Sequence, residues 1–132
     1  VCDERGKVLL VSPTKNGKVH DLQCFKKWSI GQYIPAEVGV WADKGFIGVN
    51  HVCNSKAVMV PHKKPRGKDL TQEQRAENKV ISGLRIVIEH AIGGIKRFGS
   101  MSQTYRNRKG QDDAMISVCA GLWNLHLQHT TC

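Results

Sequence analysis

TQEQRAENKVISGLRIVIEHAIGGIKR, residues 71–97, contains the longest helical pattern in the chain. Thr71 followed three residues later by Gln74 is typical of a capping box, in which each side chain bonds the backbone of the other residue. This signal predicts a helix that begins here and extends to the end of the stretch. Gly83 and the pair Gly93-Gly94 are its only interruptions.

Two neighbouring faces of this helix differ in chemistry when residues are placed at 100° per step. The polar stripe consists of Asn78, Ser82, Arg85, Glu89 and Lys96, and the apolar stripe consists of Ile81, Leu84, Ile88, Ile92 and Ile95. Glu89 is therefore predicted at the edge of the buried face, within reach of a strand end. A solvated face with an Arg85–Glu89 ion pair is an equal alternative, since such pairs contribute only a few tenths of a kcal/mol.

A second acid ends a predicted strand. The apolar residues 38–42 are followed by Asp43 and a glycine turn at Gly45. An acid at a strand end and an acid on a helix can hold a divalent metal ion together. Metal-dependent nucleases usually need three or more carboxylates across two metals, and a third candidate is not evident. Asp21 is interpreted as the cap of a short helix, residues 22–28, rather than as a ligand.

The charge balance favours a polyanionic partner. The net charge is +9 and the isoelectric point is about 9.6, which favours nucleic acid over an inert basic surface. A basic connector, residues 62–68, carries Lys63, Lys64, Arg66 and Lys68. For these four residues, nucleic-acid contact and a solvated loop are equally weighted.

Other features constrain the class of protein. No apolar run approaches the roughly 20 residues of a membrane span, and no signal peptide opens the chain. The five cysteines lack a CxxC pair, which predicts reduced thiols in a cytosolic protein rather than disulfides. Because the chain begins at Val1 without an initiator methionine, it is expected to be a piece of a longer protein.

The remaining pattern predicts an α/β protein. Strands are expected at residues 7–11, paired with residues that end at Cys2, and at residues 57–60. A last helix is expected at residues 112–128. Its predicted buried stripe consists of Met115, Val118, Cys119, Leu122 and Leu125.

These segments, in this order, resemble the DDE transposases of bacterial insertion sequences and the related Harbinger-type nucleases. The resemblance is carried by Asp43-x-Gly45-Phe46 and by Arg85-x3-Glu89-x6-Lys96. Supporting segments are Gly17-Lys-Val-His20-Asp21, Trp41 to Phe46, Pro61 to Gly67, Asn78-x3-Ser82-x2-Arg85 and Tyr105-Arg-Asn-Arg108. Each motif alone is weak, but the ordered set covers nearly the whole chain.

The resemblance implies an RNase H-like fold, a mixed five-stranded sheet flanked by helices. Residues 1–132 would be the C-terminal part of a single DDE catalytic domain that lacks its first strand. In this family three acids bind two divalent metals, Mg²⁺ or Mn²⁺. Asp43 corresponds to the second acid and Glu89 to the third, while the first is expected before Val1. Some members have a tyrosine where this chain has Ser82, which leaves the role of that position open.

The implied function is metal-dependent cleavage and strand transfer of DNA in transposition. One metal would activate water or a 3′-hydroxyl, and the other would stabilise the leaving oxygen. Arg85 and Lys96 would contact phosphates near the scissile bond, and Lys63, Lys64, Arg66 and Lys68 would hold the DNA backbone.

Implied partners are transposon ends and target DNA, with a homodimer or higher synaptic complex and no membrane. The expected location is the bacterial cytoplasm at the nucleoid, or the nucleus in a eukaryote. The 132 residues alone are expected to fold poorly and to be inactive. Two alternatives stay open: a non-catalytic DNA-binding remnant of a decayed or domesticated transposase, and a basic structural domain whose acids form only salt bridges.

Overall fold

The computed structural model describes residues 1–14, 17–102 and 110–130. Helices predominate, and the sheet has two short strands. The α-helices are α1 (Asp21–Lys27), α2 (Gln72–Lys96), α3 (Gly99–Ser102) and α4 (Asp112–Thr130), the strands are β1 (Val40–Trp41) and β2 (Val58–Met59), and 3₁₀ helices span Ile30–Tyr33, Lys44–Phe46 and Val49–His51.

Mixed helix and strand content confirms the coarse α/β prediction. The described ranges hold one two-stranded parallel sheet, which is smaller than the five-stranded sheet that the resemblance implies. The motif at residues 105–108 lies outside the described residues. Two compact units are present, Lys15–Arg85 and Val1–Thr14 with Ile86–Cys132.

In the unit Lys15–Arg85, the sheet pairs two segments that the sequence predicted as strands. β1 and β2 run parallel, with Val40 opposite Val58 and Trp41 opposite Met59. Further bonds join Val40 N–H to the Ala57 carbonyl at 2.8 Å and Ala42 N–H to the Met59 carbonyl at 3.0 Å. The strands are shorter than predicted, but the pairing fixes where residues 42 and 43 leave the sheet.

Helix α2 begins with the predicted capping box. Thr71 N–H donates to Gln74 Oε1 at 3.1 Å, and Gln74 N–H donates to Thr71 Oγ1 at 3.2 Å. These reciprocal bonds satisfy two of the backbone donors that a helix N-terminus leaves without intrahelical partners. The helix continues through all three of its glycines to Lys96, so the predicted extent is confirmed.

In the other unit, the first residues of the chain form a turn attached to α4. An antiparallel bridge joins Cys2 to Val8, where the sequence predicted a longer strand. Asn124 binds both backbone groups of Val8, with its Oδ1 accepting from the N–H and its Nδ2 donating to the carbonyl, each at 2.8 Å. Trp123 Nε1 donates to the Gly6 carbonyl at 2.9 Å. Side chains of α4 thus supply the partners that a neighbouring strand would provide.

The predicted buried stripe of α4 is wrong for most of its members. Cys119 is buried as expected, but the other buried residues are Ala120 and Trp123. Val118, Leu122 and Leu125 are exposed, with Val118 at 58%. The Trp123 ring reaches α2 at Gly94, where an added Cβ would lie 2.1 Å from the ring. The close approach of a glycine and a large aromatic ring therefore sets the buried face of α4.

Two further features belong to this unit. Both the N–H and the hydroxyl of Thr14 donate to Asp113 Oδ1, at 2.6 and 2.7 Å, and these bonds lower the pKa of Asp113. Partial burial raises the pKa of the Cys2 thiol.

Among the described residues the four cysteines are free thiols, as the sequence predicted. None of the helices in the described ranges has the length and apolar character that a membrane crossing requires.

Candidate active site

Asp43 lies at the carboxyl end of β1, as the sequence predicted. It is the N-cap of the 3₁₀ helix Lys44–Phe46, and its Oδ1 accepts a hydrogen bond from Lys44 N–H at 2.7 Å. The backbone at Asp43 is extended, with φ −78° and ψ 169°, which lets the strand turn directly into the helix. A backbone donor thus orients a carboxylate that remains 47% exposed.

Arg85 contacts this carboxylate from α2. Its Nη1 lies 3.4 Å from Asp43 Oδ1, with the Arg85 side chain 44% exposed. Because both groups are half-exposed, water screens the pair, and such pairs stabilise a fold by only about 0–1 kcal/mol. The contact matters more for the local charge, since it brings a guanidinium, which can bind two phosphate oxygens at once, beside the acid.

Asp21 approaches the same turn, although it is not the cap that the sequence predicted. Helix α1 begins at Asp21 itself, and the N-cap position is His20, which makes no side-chain cap bond. A Cβ added at Gly45 would lie 3.1 Å from Asp21 Oδ2. The glycine two residues after Asp43 therefore leaves room for a second carboxylate. The capping interpretation is wrong because the extended residue before the helix is His20, whereas Asp21 already belongs to α1.

Glu89 is exposed, and the part of α2 around it buries a different side from the one that the sequence predicted. The side chains of Glu89 and Lys96 are exposed. Ala91 and Gly94 are the buried residues of this part of the helix, and they lie about 200° and 140° around the axis from Glu89. Ile92, predicted to be buried, is 45% exposed. Glu89 therefore projects from the exposed side of α2 in its unit, because this part of α2 packs through Ala91 and Gly94. Ile81, nearer the start of the helix, is buried as the sequence predicted.

The basic connector between β2 and α2 has all four of its predicted cations exposed: Lys63, Lys64, Arg66 and Lys68. Lys64 Nζ lies 2.6 Å from Asp69 Oδ1 in an exposed ion pair. Gly67 has a φ of +76°, a left-handed conformation that glycine adopts without the steric cost of a Cβ. The connector therefore presents its positive charge to solvent at the start of α2.

The predicted acids are oxygen donors that suit a hard divalent cation. Carboxylate oxygens are the ligands that Mg²⁺ prefers, so Asp43 and Glu89 suit it by type. Within the described residues, however, no group of three or more His, Cys, Asp or Glu side chains is arranged to hold a metal ion. The donors match in chemistry but fall short in number, and no catalytic step through a metal follows from them.

Sequence reasoning did not find two of the contacts around these residues. The Arg85–Asp43 pair joins a helix to a strand end, and periodicity along the helix cannot identify such a partner. Asn78 was recognised only as one member of the polar stripe, whereas its side chain binds the backbone of His62. The sequence showed that Asn78 is a polar residue next to the predicted buried face of α2, but it did not indicate which residue Asn78 would bind.

Comparisons with known proteins agree with the resemblance. The sequence profile described as DDE superfamily endonuclease matches residues 1–124. The chain is 36% identical, over 111 residues, to a protein of Microchaete diplosiphon described as the probable transposase for insertion sequence element IS702, and the alignment covers 84% of this chain and 39% of that protein. The chain thus spans less than half of that relative's length. No solved structure matches it significantly. With nearly all of its residues matched by the profile, the chain belongs to the DDE superfamily endonuclease family.

Proposed function

We propose that the full-length protein containing this chain is a DDE transposase that cleaves and joins DNA strands at the ends of a mobile element. The observation that carries the proposal is Asp43: an exposed carboxylate at a strand end, oriented by Lys44 N–H and contacted by Arg85. A carboxylate that only forms an ion pair does not have to be oriented by the backbone at a strand end. A carboxylate that binds a metal must be both oriented and accessible.

In this proposal Asp43 and Glu89 are the second and third metal-binding carboxylates of an RNase H-like domain. The first acid would lie on a strand outside this chain. When bound, two Mg²⁺ or Mn²⁺ ions would supply an activated oxygen nucleophile and stabilise the leaving oxygen. Residues of this chain would orient the metals and bind the phosphates around them. Support comes from family membership and from the carboxylates themselves, which are hard oxygen donors.

The surface around Glu89 supports the RNase H-like part of the proposal. Ile88 and Ile92 are exposed on the same side of α2 as Glu89. An apolar surface beside a charged group is typical of a face that another element covers. We propose that the first strand and its sheet pack there in the full-length protein.

DNA would be bound by side chains that the structure leaves exposed. Arg85 beside Asp43 would contact a phosphate near the scissile bond, and Lys96 would contact the backbone further along α2. Connector residues Lys63, Lys64, Arg66 and Lys68 would hold the flanking duplex. With a net charge of +9, binding should depend strongly on salt. Synapsis of two element ends in a dimer or larger complex, at the nucleoid or in a nucleus, completes the proposal.

The experiment is Mg²⁺- or Mn²⁺-dependent cleavage of labelled element-end DNA by the full-length protein. We expect Asp43→Asn and Glu89→Gln each to lower cleavage by a hundredfold or more, because even outer-shell partners of a metal contribute roughly 10–100-fold. DNA binding should persist in both variants. Glu73→Gln is the matched control, since it removes one exposed acid from α2 without touching a proposed ligand.

Two outcomes separate the alternatives. Cleavage at the unaltered rate in either variant refutes the metal assignment. A wild-type protein that binds DNA but cleaves it with neither metal supports the second candidate, a non-catalytic DNA-binding remnant.

A further inference from the structure

Asn78 binds both backbone polar groups of one residue at the start of the basic connector. Its Oδ1 accepts from His62 N–H at 2.7 Å, and its Nδ2 donates to the His62 carbonyl at 3.1 Å. Both bonds are partly buried, and Pro61 beside them is buried. Since a side-chain amide has one acceptor and two donors, this arrangement fixes the orientation of the peptide groups as well as their position.

The side chain of His62 contacts Glu77, the residue before Asn78 on α2. His62 Nε2 lies 2.5 Å from Glu77 Oε2, with the two side chains 41% and 53% exposed. Exposed contacts of this kind contribute little to folding, so the partly buried Asn78 bonds carry most of the attachment. Two successive residues of α2 thus hold the backbone and the ring of His62.

The other end of the connector is attached to the same helix. The capping box of Thr71 and Gln74 fixes the chain where α2 begins. The connector is therefore a short loop whose two ends are both anchored to the first two turns of α2. Within the loop, Lys64 pairs with Asp69 and Lys68 N–H approaches the Pro65 carbonyl at 3.5 Å. These contacts are local, so the placement of the loop depends on its ends.

We propose that Asn78 is a positioning residue for DNA binding, acting through His62 to place the connector cations against the phosphate backbone. The proposal rests on the proposed function, because it takes DNA as the ligand. A connector held at both ends does not lose conformational entropy when it binds DNA. Avoiding that entropic cost increases the affinity. If the connector were only a solvated loop, anchoring it would have no effect on DNA affinity.

The test measures DNA binding by the full-length protein with a labelled duplex of arbitrary sequence, because phosphate contacts do not depend on sequence. We expect Asn78→Ala to weaken binding by roughly tenfold near physiological salt. The salt dependence should also fall, by about 0.9 in log–log slope for each phosphate that the connector no longer neutralises. Ser82→Ala is the matched control, because Ser82 lies one turn further along α2 and, among the described residues, its hydroxyl bonds the backbone carbonyl of Asn78. The DNA affinity of this variant should not change.

A second background separates positioning from a general loss of stability. In a protein with Lys63, Lys64, Arg66 and Lys68 all replaced by Gln, Asn78→Ala should change affinity by less than about twofold, because contacting residues couple and independent ones add. An equal loss in both backgrounds overturns the proposal, as does an unaltered salt slope in Asn78→Ala. Failure of the DNA-binding part of the proposed function gives a different result, since the unsubstituted protein would then not bind DNA.

Glu77 provides an independent comparison. Glu77→Gln and Glu73→Gln remove the same charge from sites one turn apart on α2, so a general charge effect strengthens DNA binding equally in both. Of these two acids, Glu77 contacts the His62 ring. We expect Glu77→Gln to gain less affinity than Glu73→Gln, and equal gains would show that the contact with His62 has no positioning role.

Discussion

The adjacent glycines Gly93 and Gly94 of α2 should respond oppositely to the same substitution. A Cβ added at Gly94 would lie 2.1, 2.3 and 2.5 Å from three ring atoms of Trp123, whereas a Cβ at Gly93 would have none of the other described residues within 4 Å. Ordinary carbon–carbon contacts lie near 3.5–4.0 Å. The Trp123 ring is buried and its Nε1 donates to the Gly6 carbonyl, so it has little freedom to move away.

The magnitudes follow from two opposing terms. Replacing Gly by Ala within a helix contributes about 1 kcal/mol of stability in each case. For Gly93→Ala this is the only term, so we expect a gain of about 0.5–1 kcal/mol. For Gly94→Ala, overpacking costs about 1–3 kcal/mol or more, and displacing the ring breaks a hydrogen bond worth about 1 kcal/mol. The two variants should therefore differ by roughly 2–4 kcal/mol.

Urea denaturation of the full-length protein, followed by tryptophan fluorescence, measures this difference. The midpoint should rise in Gly93→Ala and fall in Gly94→Ala, with an unchanged denaturant slope if the native state stays compact. Fluorescence should also report a changed Trp123 environment in Gly94→Ala alone. Equal midpoints for the two variants would refute the close packing of α2 against α4.

Three other substitutions test contacts elsewhere in the protein. Gly31→Ala would place a Cβ 2.1 Å from a backbone carbonyl oxygen, which cannot rotate away as a side chain can, so we expect a loss of roughly 3 kcal/mol in urea denaturation. Asn124→Ala removes the side-chain hydrogen-bond partners of the Val8 backbone. We expect the free energy of unfolding to fall by about 1–3 kcal/mol and amide hydrogen exchange at Val8 to become faster. Asp113→Asn tests a pH effect. Hydrogen bonds from Thr14 hold the pKa of the Asp113 carboxyl below its ordinary value of 3.8. The ionised carboxylate therefore stabilises the fold fully above pH 3.8, and this contribution is lost as the pH falls through the lowered pKa. Wild type should therefore exceed Asp113→Asn in urea midpoint at pH 7, and the difference should vanish in acid; a difference that persists unchanged in acid would contradict this linkage.

The sequence predicted features whose causes are local. The capping box of Thr71 and Gln74 identified the start of α2, since its bonds join residues three apart. The apolar run before Asp43 placed that acid at a strand end for the same reason, because a strand and the turn that follows it are adjacent in the chain. The ordered motifs also identified the family, which the profile over residues 1–124 confirms.

Predictions of burial failed where the packing partner lies far away in the chain. The isoleucine stripe of α2 was expected to be buried, and Ile81 is, yet Ile88 and Ile92 are exposed while Ala91 and Gly94 are buried. Hydrophobic periodicity selects the most apolar face, but a close approach of helices favours small residues that admit a large ring. The same limit applies to α4, where Trp123 rather than Leu122 occupies the buried position.

The sequence by itself determined the start and extent of α2, the acid at the strand end, the basic connector and the family. Each depends on residues that are close in the chain or on an ordered set of motifs. Only the tertiary structure decided that Arg85 meets Asp43, that Asn78 holds His62 and that Trp123 packs on Gly94. The physical reason is that hydrogen bonds within a helix or a turn join near neighbours, whereas a side chain's partner across the fold depends on how whole elements pack.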